Sequence, residues 1–211
     1  MQKKLSKTRK LRAQNMDYSI LFLILFLVGF GLVMLYSTSS YKGSLYYNDT
    51  AYWVLIQCYM GWRPQELARL ELKDVYLKER YIIGGMKTKA GQHRKVPIHP
   101  KVFDLVKKNY DYAIELGSDR LFNDPDSPKG GITITYDKYA GRFDKVITAL
   151  KLRDDHRPHD PRMTFITMAK KAGVDEYTIK KLVGHKISDV TEAVYTDRDL
   201  EWLRTEIEKI P

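Results

Sequence analysis

The hydrophobic pattern divides the chain into two parts of different character. Residues 18–41 contain no charged side chain, and Ile20–Leu35 consists almost wholly of Leu, Ile, Phe, Val and Gly. A run of this length can cross a bilayer, and it lacks the polar stripe that a core helix normally keeps. We therefore predict a basic tail over 1–17, a transmembrane helix over 18–41 with 18–36 in the membrane, and a junction with a first helix over 42–57.

The rest of the chain alternates between helical and strand-like spacing of its apolar residues. Helices are predicted from Asp49 or Thr50 to about Tyr59, from Pro64, and over Pro100–Gly117, Tyr136–Leu150, Asp160–Gly173, Asp175–Val183 and Asp197–Ile210. Strands are predicted within Tyr76–Met86, Ala90–Arg94 and Val96–Ile98. Residues 58–211 are thus predicted to form one domain that is mainly α with a small antiparallel β-sheet, an α+β fold.

Charge and cysteine content narrow the function classes only slightly. The formal net charge is +10, but residues 1–57 hold 7 Lys and Arg against 2 Asp and Glu, which leaves 29 against 24 in the remainder. A surplus of about +5 favours phosphate binding only if it is clustered. Cys58 is the only cysteine, which excludes an intramolecular disulfide and argues against a Cys-based zinc site. We expect no metal and no cofactor.

Six polar residues at separate places along the chain suit chemistry on a phosphate. They are Arg63 in GWRPQEL, a lysine in MKTKAG, His159 and Arg162 in HDPRMTF, His185 in LVGH, and Tyr195 in AVYTD. A guanidinium can bind two phosphate oxygens at once without losing its proton, and a tyrosine can store a phosphodiester bond as a covalent phosphotyrosine.

The order Arg, Lys, His-x-x-Arg, His, Tyr, spread over about 150 residues, resembles the catalytic domain of the tyrosine recombinases, or phage-type integrases. This resemblance implies double-stranded DNA as partner and a covalent 3′-phosphotyrosine at Tyr195. It implies that Arg63 and Arg162 hold the phosphate oxygens. His159 would act as base or transition-state donor, and His185 would donate to a phosphate oxygen.

Further residues take roles from the same resemblance. Lys87 is favoured over Lys89 as the general acid for the departing 5′-oxygen, because integrases often carry a Lys-Thr pair here. Glu66 matches a family acid that supports the site. The predicted DNA-binding residues are Arg94, Lys170 and Lys171, although the two lysines on the helix could equally form a solvated face.

The resemblance has departures and an implied assembly. Met163 replaces a His that often follows the second family arginine, and ten residues separate His185 from Tyr195 where nine are usual. The chain shows no counterpart of the family's N-terminal core-binding domain, so weak DNA binding is expected. The family's working assembly implies a homo-tetramer on two DNA sites, with helix 197–210 docking on a neighbouring protomer.

The first 55 residues resemble something else, the first membrane helix of the bacterial division and rod-shape peptidoglycan glycosyltransferases. The two resemblances together predict a fusion with a junction near residues 50–57. Lys and Arg before the apolar run place the N-terminus in the cytoplasm, which would carry a single-pass chain away from chromosomal DNA, whereas a working recombinase domain must be cytoplasmic. Two alternatives therefore stay open: a membrane-tethered or degenerate fusion with little activity, and a topoisomerase-like relaxing enzyme.

Overall fold

Helices surround one small sheet in the part of the chain that the structure describes. This structure, a computed structural model, describes residues 49–86, 91–125, 132–187 and 198–211. They belong to a compact unit, Tyr47–Pro211. The predicted transmembrane helix at 18–41 lies outside the described residues, and within them no helix is long and apolar enough to cross a membrane.

The described elements follow one another as a run of helices interrupted by the sheet. In chain order they are α1 (49–60), α2 (Pro64–Leu67), a 3-10 turn (Leu72–Asp74), β1 (Val75–Tyr76), β2 (Tyr81–Gly84), β3 (Arg94–Pro97), α3 (Pro100–Glu115), α4 (Tyr136–Ala149), α5 (Asp160–Lys171), α6 (Glu176–Val183) and α7 (Leu200–Ile207). The prediction of a mainly helical fold with a small antiparallel sheet is confirmed.

Local signals explain where these helices begin. Pro64, Pro100 and Pro161 each occupy a first turn, where the missing N–H of proline costs nothing. Asp175 and Asp199 cap α6 and α7 by accepting the N–H of Thr178 and Trp202, at 2.7 and 2.8 Å. The predicted start of α5 is displaced by one residue, because His159 rather than Asp160 occupies the N-cap position.

The sheet is antiparallel with order β1-β2-β3. Val75 pairs with Ile82, and Gly84 pairs with Arg94 at the other end of β2. The alternation predicted over Tyr76–Met86 is divided by a turn in which Arg80 has a positive φ of 53°. Beyond the last pair of β2 and β3, Gly84 with Arg94, the chain continues from β2 through Gly85 to Met86, and Gly91 lies three residues before Arg94 on the other side.

The core joins the first and last described helices to the sheet. Trp53, Ile56 and Met60 of α1 are each at most 2% exposed. The compact unit consequently starts at Tyr47, earlier than the predicted domain start at residue 58. The predicted junction helix is part of the domain because its apolar face fills this core.

The last helix packs on its own chain. Leu203 and Ile207 of α7, with Ile210 after it, are at most 2% exposed and belong to the same core. The Ile210 carbonyl oxygen lies 3.0 Å from Nε2 of His99. We predicted that helix 197–210 docks on a neighbouring protomer; here its apolar face is occupied within the chain, and Trp202, 45% exposed, lies outside that face.

Candidate active site

Arg63 lies in the short link between α1 and α2. Its backbone is extended, and α2 begins at the next residue, Pro64, so the predicted position at a helix start is confirmed. The Arg63 N–H donates to Oε2 of Glu66 at 2.9 Å, and Nη1 donates to Oε1 at 2.8 Å. The Arg63 side chain is 20% exposed, so its guanidinium is partly open to solvent.

Glu66 is the centre of the cluster, and its side chain is fully buried. Its two oxygens also accept from the Met86 N–H at 3.3 Å and from Nη1 and Nη2 of Arg94 at 3.0 and 2.6 Å. Burial by itself would raise the pKa of Glu66, but the hydrogen bonds and charge of Arg94, with the bonds from Arg63, outweigh it and lower the pKa. Glu66 is therefore an ionised, buried acceptor.

Arg94, predicted to contact DNA, is placed differently by the structure. It is only 6% exposed, and its guanidinium lies 4.4 Å from the Trp62 ring centroid. Besides the pair with Glu66, Nε donates to the Leu182 carbonyl at 2.8 Å and Nη1 to the Gly91 carbonyl at 2.9 Å. All three nitrogens of the Arg94 guanidinium donate within the protein, so the structure gives Arg94 an internal role in place of the predicted DNA contact.

Arg162, on the first turn of α5, is also buried, with a side chain 1% exposed. Nη1 donates to the Gly61 carbonyl at 2.7 Å and lies 3.9 Å from Oε2 of Glu66, while Nη2 donates to the Val183 carbonyl at 2.5 Å. Burial, and next the charge of Arg63, lower the pKa of Arg162 to about 9, which leaves it a cation at neutral pH. A phosphate can reach this guanidinium only if the atoms that cover it shift.

Both buried arginines cap the C-terminal end of α6. The last carbonyls of a helix lack partners within the helix and carry the negative end of its dipole, so cations are stabilised there. Arg94 bonds the Leu182 carbonyl and Arg162 the Val183 carbonyl. Gly184 then ends the helix in the left-handed region, with φ 67° and ψ 41°. This fixed end delivers His185 directly after the two arginine contacts.

The charges of Arg162 and Arg63 act on both predicted histidines, His159 and His185, although 26 residues separate the two in the sequence. Both are exposed. Partial desolvation, followed by the charges of Arg162 and Arg63, lowers the pKa of each below its ordinary value of 6.5, and His159 contributes to lowering the pKa of His185. Both imidazoles are therefore neutral at pH 7, able to accept a proton at one ring nitrogen and donate at the other.

Gln57 was missed by the sequence analysis and connects the loops that carry the site. Its Nε2 donates to the Trp62 carbonyl at 3.0 Å and the Pro158 carbonyl at 3.2 Å, and its Oε1 accepts from the Tyr139 hydroxyl at 2.7 Å. The residues directly before Arg63 and His159 are thus held by one fully buried amide. Its place in the core-facing stripe of α1, one residue after Ile56, was the available signal.

The remaining predicted site residues are remote from this cluster or lie outside the described ranges. Lys170 and Lys171 are exposed at the far end of α5, about 16–18 Å along the helix from His159 at 1.5 Å per residue. Lys87, Lys89 and Tyr195 lie outside the described residues. Within residues 49–86, 91–125, 132–187 and 198–211, no group of three or more His, Cys, Asp or Glu could hold a metal ion.

Sequence comparison relates the chain to one family. The phage integrase family matches residues 28–201, a match that begins inside the predicted membrane helix and before the predicted fusion junction. Tyrosine recombinase XerA of Saccharolobus solfataricus is 31% identical over 146 residues, 69% of this chain and 45% of that protein. XerA of Pyrococcus horikoshii is 30% identical over 157 residues, 71% and 50% of the two chains. The chain thus spans about half the length of the curated relatives it matches.

Solved structures share the fold. The integrase from mycobacterium phage Brujita has a TM-score of 0.57 at 20% identity, covering 77% of this chain and 52% of that one. XerA recombinase has a TM-score of 0.56 at 22% identity, covering 74% of this chain and 55% of that one. The Tn1549 transposon integrase in complex with circular intermediate DNA has a TM-score of 0.54 at 22% identity, covering 76% of this chain and 58% of that one. With the family match over residues 28–201, these findings show that the chain belongs to the phage integrase family of tyrosine recombinases.

Proposed function

We propose that this chain cleaves and rejoins double-stranded DNA through a covalent 3′-phosphotyrosine at Tyr195. The observation that supports the proposal is that Arg63 and Arg162 lie 2.8 and 3.9 Å from the buried Glu66 carboxylate. The charges of the same two arginines lower the pKa values of His159 and His185. Four cationic or hydrogen-bonding side chains from three distant stretches of sequence thus act on one another electrostatically, as side chains that share one phosphate would. Tyrosine recombinases named XerA are among its relatives.

Each side chain has a proposed step. Arg63, and Arg162 once the atoms that cover it shift, hold the non-bridging phosphate oxygens as negative charge grows in the pentacoordinate state. His159, neutral at pH 7, takes the phenol proton of Tyr195 or donates to the transition state, and His185 donates to a phosphate oxygen. Lys87, in preference to Lys89, gives a proton to the departing 5′-oxygen. The guanidinium groups supply the charge stabilisation, so the proposed step uses no metal or cofactor.

Covalent trapping on a nicked DNA substrate tests this proposal. When the short 5′ fragment diffuses away after cleavage, religation stops and a denaturation-resistant adduct accumulates. The full chain should form this adduct, and Tyr195→Phe should not. Tyr136→Phe is the control, because Tyr136 is a 39% exposed tyrosine at the start of α4. An equal adduct yield from Tyr195→Phe would refute the proposal.

For strand exchange we propose a tetramer on two DNA sites. A topoisomerase-like enzyme would use the same covalent step on one duplex, so exchange of strands between two labelled duplexes distinguishes the two activities. Because the apolar face of α7 is buried in its own chain, contacts between protomers would use its outer face, which includes Trp202. Mass measurement of the DNA-bound assembly checks the number of chains, and a 1:1 complex that still exchanges strands contradicts the tetramer.

For the N-terminal part we propose membrane insertion through residues 18–36, with the N-terminus in the cytoplasm. The uncharged run over 18–41 and the basic residues before it support this proposal. It competes with DNA cleavage in cells, since a single crossing would separate the catalytic domain from DNA. Fractionation of cells that express the full chain decides: recovery in the soluble fraction, unaffected by deletion of residues 18–36, would contradict insertion.

A further inference from the structure

Two residues that flank the lysine-bearing segment are bonded to the same buried ion pair. Met86 comes directly before Lys87, and its N–H donates to Oε1 of Glu66 at 3.3 Å. Gly91 follows the segment, and its carbonyl accepts from Nη1 of Arg94 at 2.9 Å. The same Nη1 donates to the same Oε1 at 3.0 Å. Both ends of the segment are therefore held by one carboxylate–guanidinium contact.

The ion pair is itself held in place from several sides. The side chains of Arg94 and Glu66 are 4% and 0% exposed, so neither can exchange its partner for water without opening the core. Arg94 also bonds the Leu182 carbonyl at 2.8 Å and lies over the Trp62 ring. The ion pair that holds both ends of the segment is thus also bonded to the end of α6, shortly before His185.

The two chain limbs meet closely beside this pair. Gly85 has a φ of +115°, and a Cβ placed there would lie 1.6 Å from the Gly91 carbonyl oxygen and 2.4 Å from Nη1 of Arg94. Such an approach is possible only for glycine. The backbones at residues 85 and 91 are therefore in direct contact, and the Arg94 guanidinium lies against them. We call residues 85, 86 and 91 the hairpin base.

We propose that Arg94, acting with Glu66, is a positioning residue for protonation of the leaving group. It fixes the hairpin base, whose residues directly precede and follow the segment that contains Lys87 and Lys89. The inference rests on the proposed function. In that reaction the bond from the Tyr195 oxygen to phosphorus forms and the bond from phosphorus to the 5′-oxygen breaks. The 5′-oxygen keeps the electron pair and takes a proton from the lysine Nζ. A general acid must lie within hydrogen-bond reach, about 2.6–3.2 Å, of that oxygen.

Replacing the bridging 5′-oxygen by sulfur isolates this step. A thiol has a pKa of about 8.5, so sulfur leaves as a thiolate without needing the proton that an alkoxide requires. Arg94→Met should cleave the oxygen substrate roughly 100-fold more slowly than wild type, the scale of a misplacement of about 1 Å. On the sulfur substrate the same variant should stay within about threefold of wild type, since the acid is no longer needed.

Arg142→Met is the matched control. Arg142 is another 5% exposed arginine, paired with Asp124 at 3.4 Å and lying 4.6 Å from the Trp53 ring centroid. The Arg142→Met variant removes a similarly buried guanidinium, one that is paired with Asp124 instead of Glu66. Its oxygen and sulfur rates should change by equal factors, whatever its effect on stability.

The outcomes separate the two proposals. If wild type forms no adduct on either substrate, the proposed function fails. If wild type cleaves both and Arg94→Met loses equal factors on both, or loses nothing on the oxygen substrate, the positioning role is overturned. If Arg94→Met does not fold by circular dichroism, Glu66→Gln with Arg94→Met removes both buried charges together, and the same oxygen-to-sulfur ratio is read from that variant.

Discussion

Replacing Glu66 by glutamine should destabilise the fold more than any other single polar substitution in the described site. The carboxylate accepts five hydrogen bonds, from Arg63, Met86 and Arg94, and lies 3.9 Å from Arg162. Glutamine keeps the shape but turns one acceptor into a donor that faces guanidinium N–H groups. Breaking a buried pair by removing one partner costs about 3–5 kcal/mol, because the other charge stays buried and uncompensated.

Thermal unfolding of the full chain in mild detergent measures this loss. For a domain of this size each kcal/mol lowers Tm by about 2–4 °C, so a decrease of roughly 6–20 °C is expected. Adding Arg94→Met to Glu66→Gln should cost less than the sum of the two single changes by about 2 kcal/mol, since neither member of the Arg94–Glu66 pair then stays buried without the other. Additivity within about 0.5 kcal/mol would refute the idea that these two groups compensate each other.

The pH dependence of the same experiment has a definite sign. The pKa of Glu66 in the folded chain lies below its ordinary value of 4.5, because Arg94 and Arg63 outweigh the effect of burial. Its contribution to stability is therefore present above pH 4.5 and lost as pH falls through the lower folded value. The difference in stability between wild type and Glu66→Gln should shrink below pH 4.5, and a difference that grows on acidification would contradict the assigned charge.

Three further predictions concern His159, the glycine that ends α6 and the two lysines at the end of α5. Adduct formation should rise with pH through an apparent pKa below 6.5 and level off by pH 7, because His159 must be neutral to accept a proton; an apparent pKa above 7 contradicts that role. Gly184→Ala should cost about 2–3 kcal/mol in thermal unfolding, since its Cβ would lie 2.8 Å from Gly91 Cα, whereas Gly173→Ala, also left-handed but with open space, should cost about 1 kcal/mol. Changing Lys170 and Lys171 together to Ala should reduce the salt slope of DNA binding by about 2, and an unchanged slope makes them a solvated face.

Helix boundaries were predictable because they depend on residues close in sequence. Prolines at first turns and aspartates at N-caps fixed the starts of α3, α6 and α7 within a few residues. Gly184 marked the end of α6. These signals act through the backbone of their own turn, so they survive without knowledge of the tertiary structure.

The internal role of Arg94 was not predictable in the same way. An arginine beside a hairpin resembles a surface DNA contact until Leu182, 88 residues later, is known to pack against it. Likewise the bond from Gln57 to the Pro158 carbonyl spans 101 residues. Local patterns identify which residues can do chemistry, whereas only the packed chain shows which of them face a phosphate and which hold the others.

Identification of the DNA-linked peptide tests the central claim most directly. The adduct formed on nicked DNA is digested with nuclease and protease, and the peptide that keeps a nucleotide linked through phosphate is sequenced by mass spectrometry. The account predicts one modified peptide, with the added mass on Tyr195, and its disappearance when Arg63→Ala removes one of the phosphate-holding groups. A nucleotide linked through phosphate to any other residue, or to Tyr195 at undiminished yield without Arg63, would contradict it.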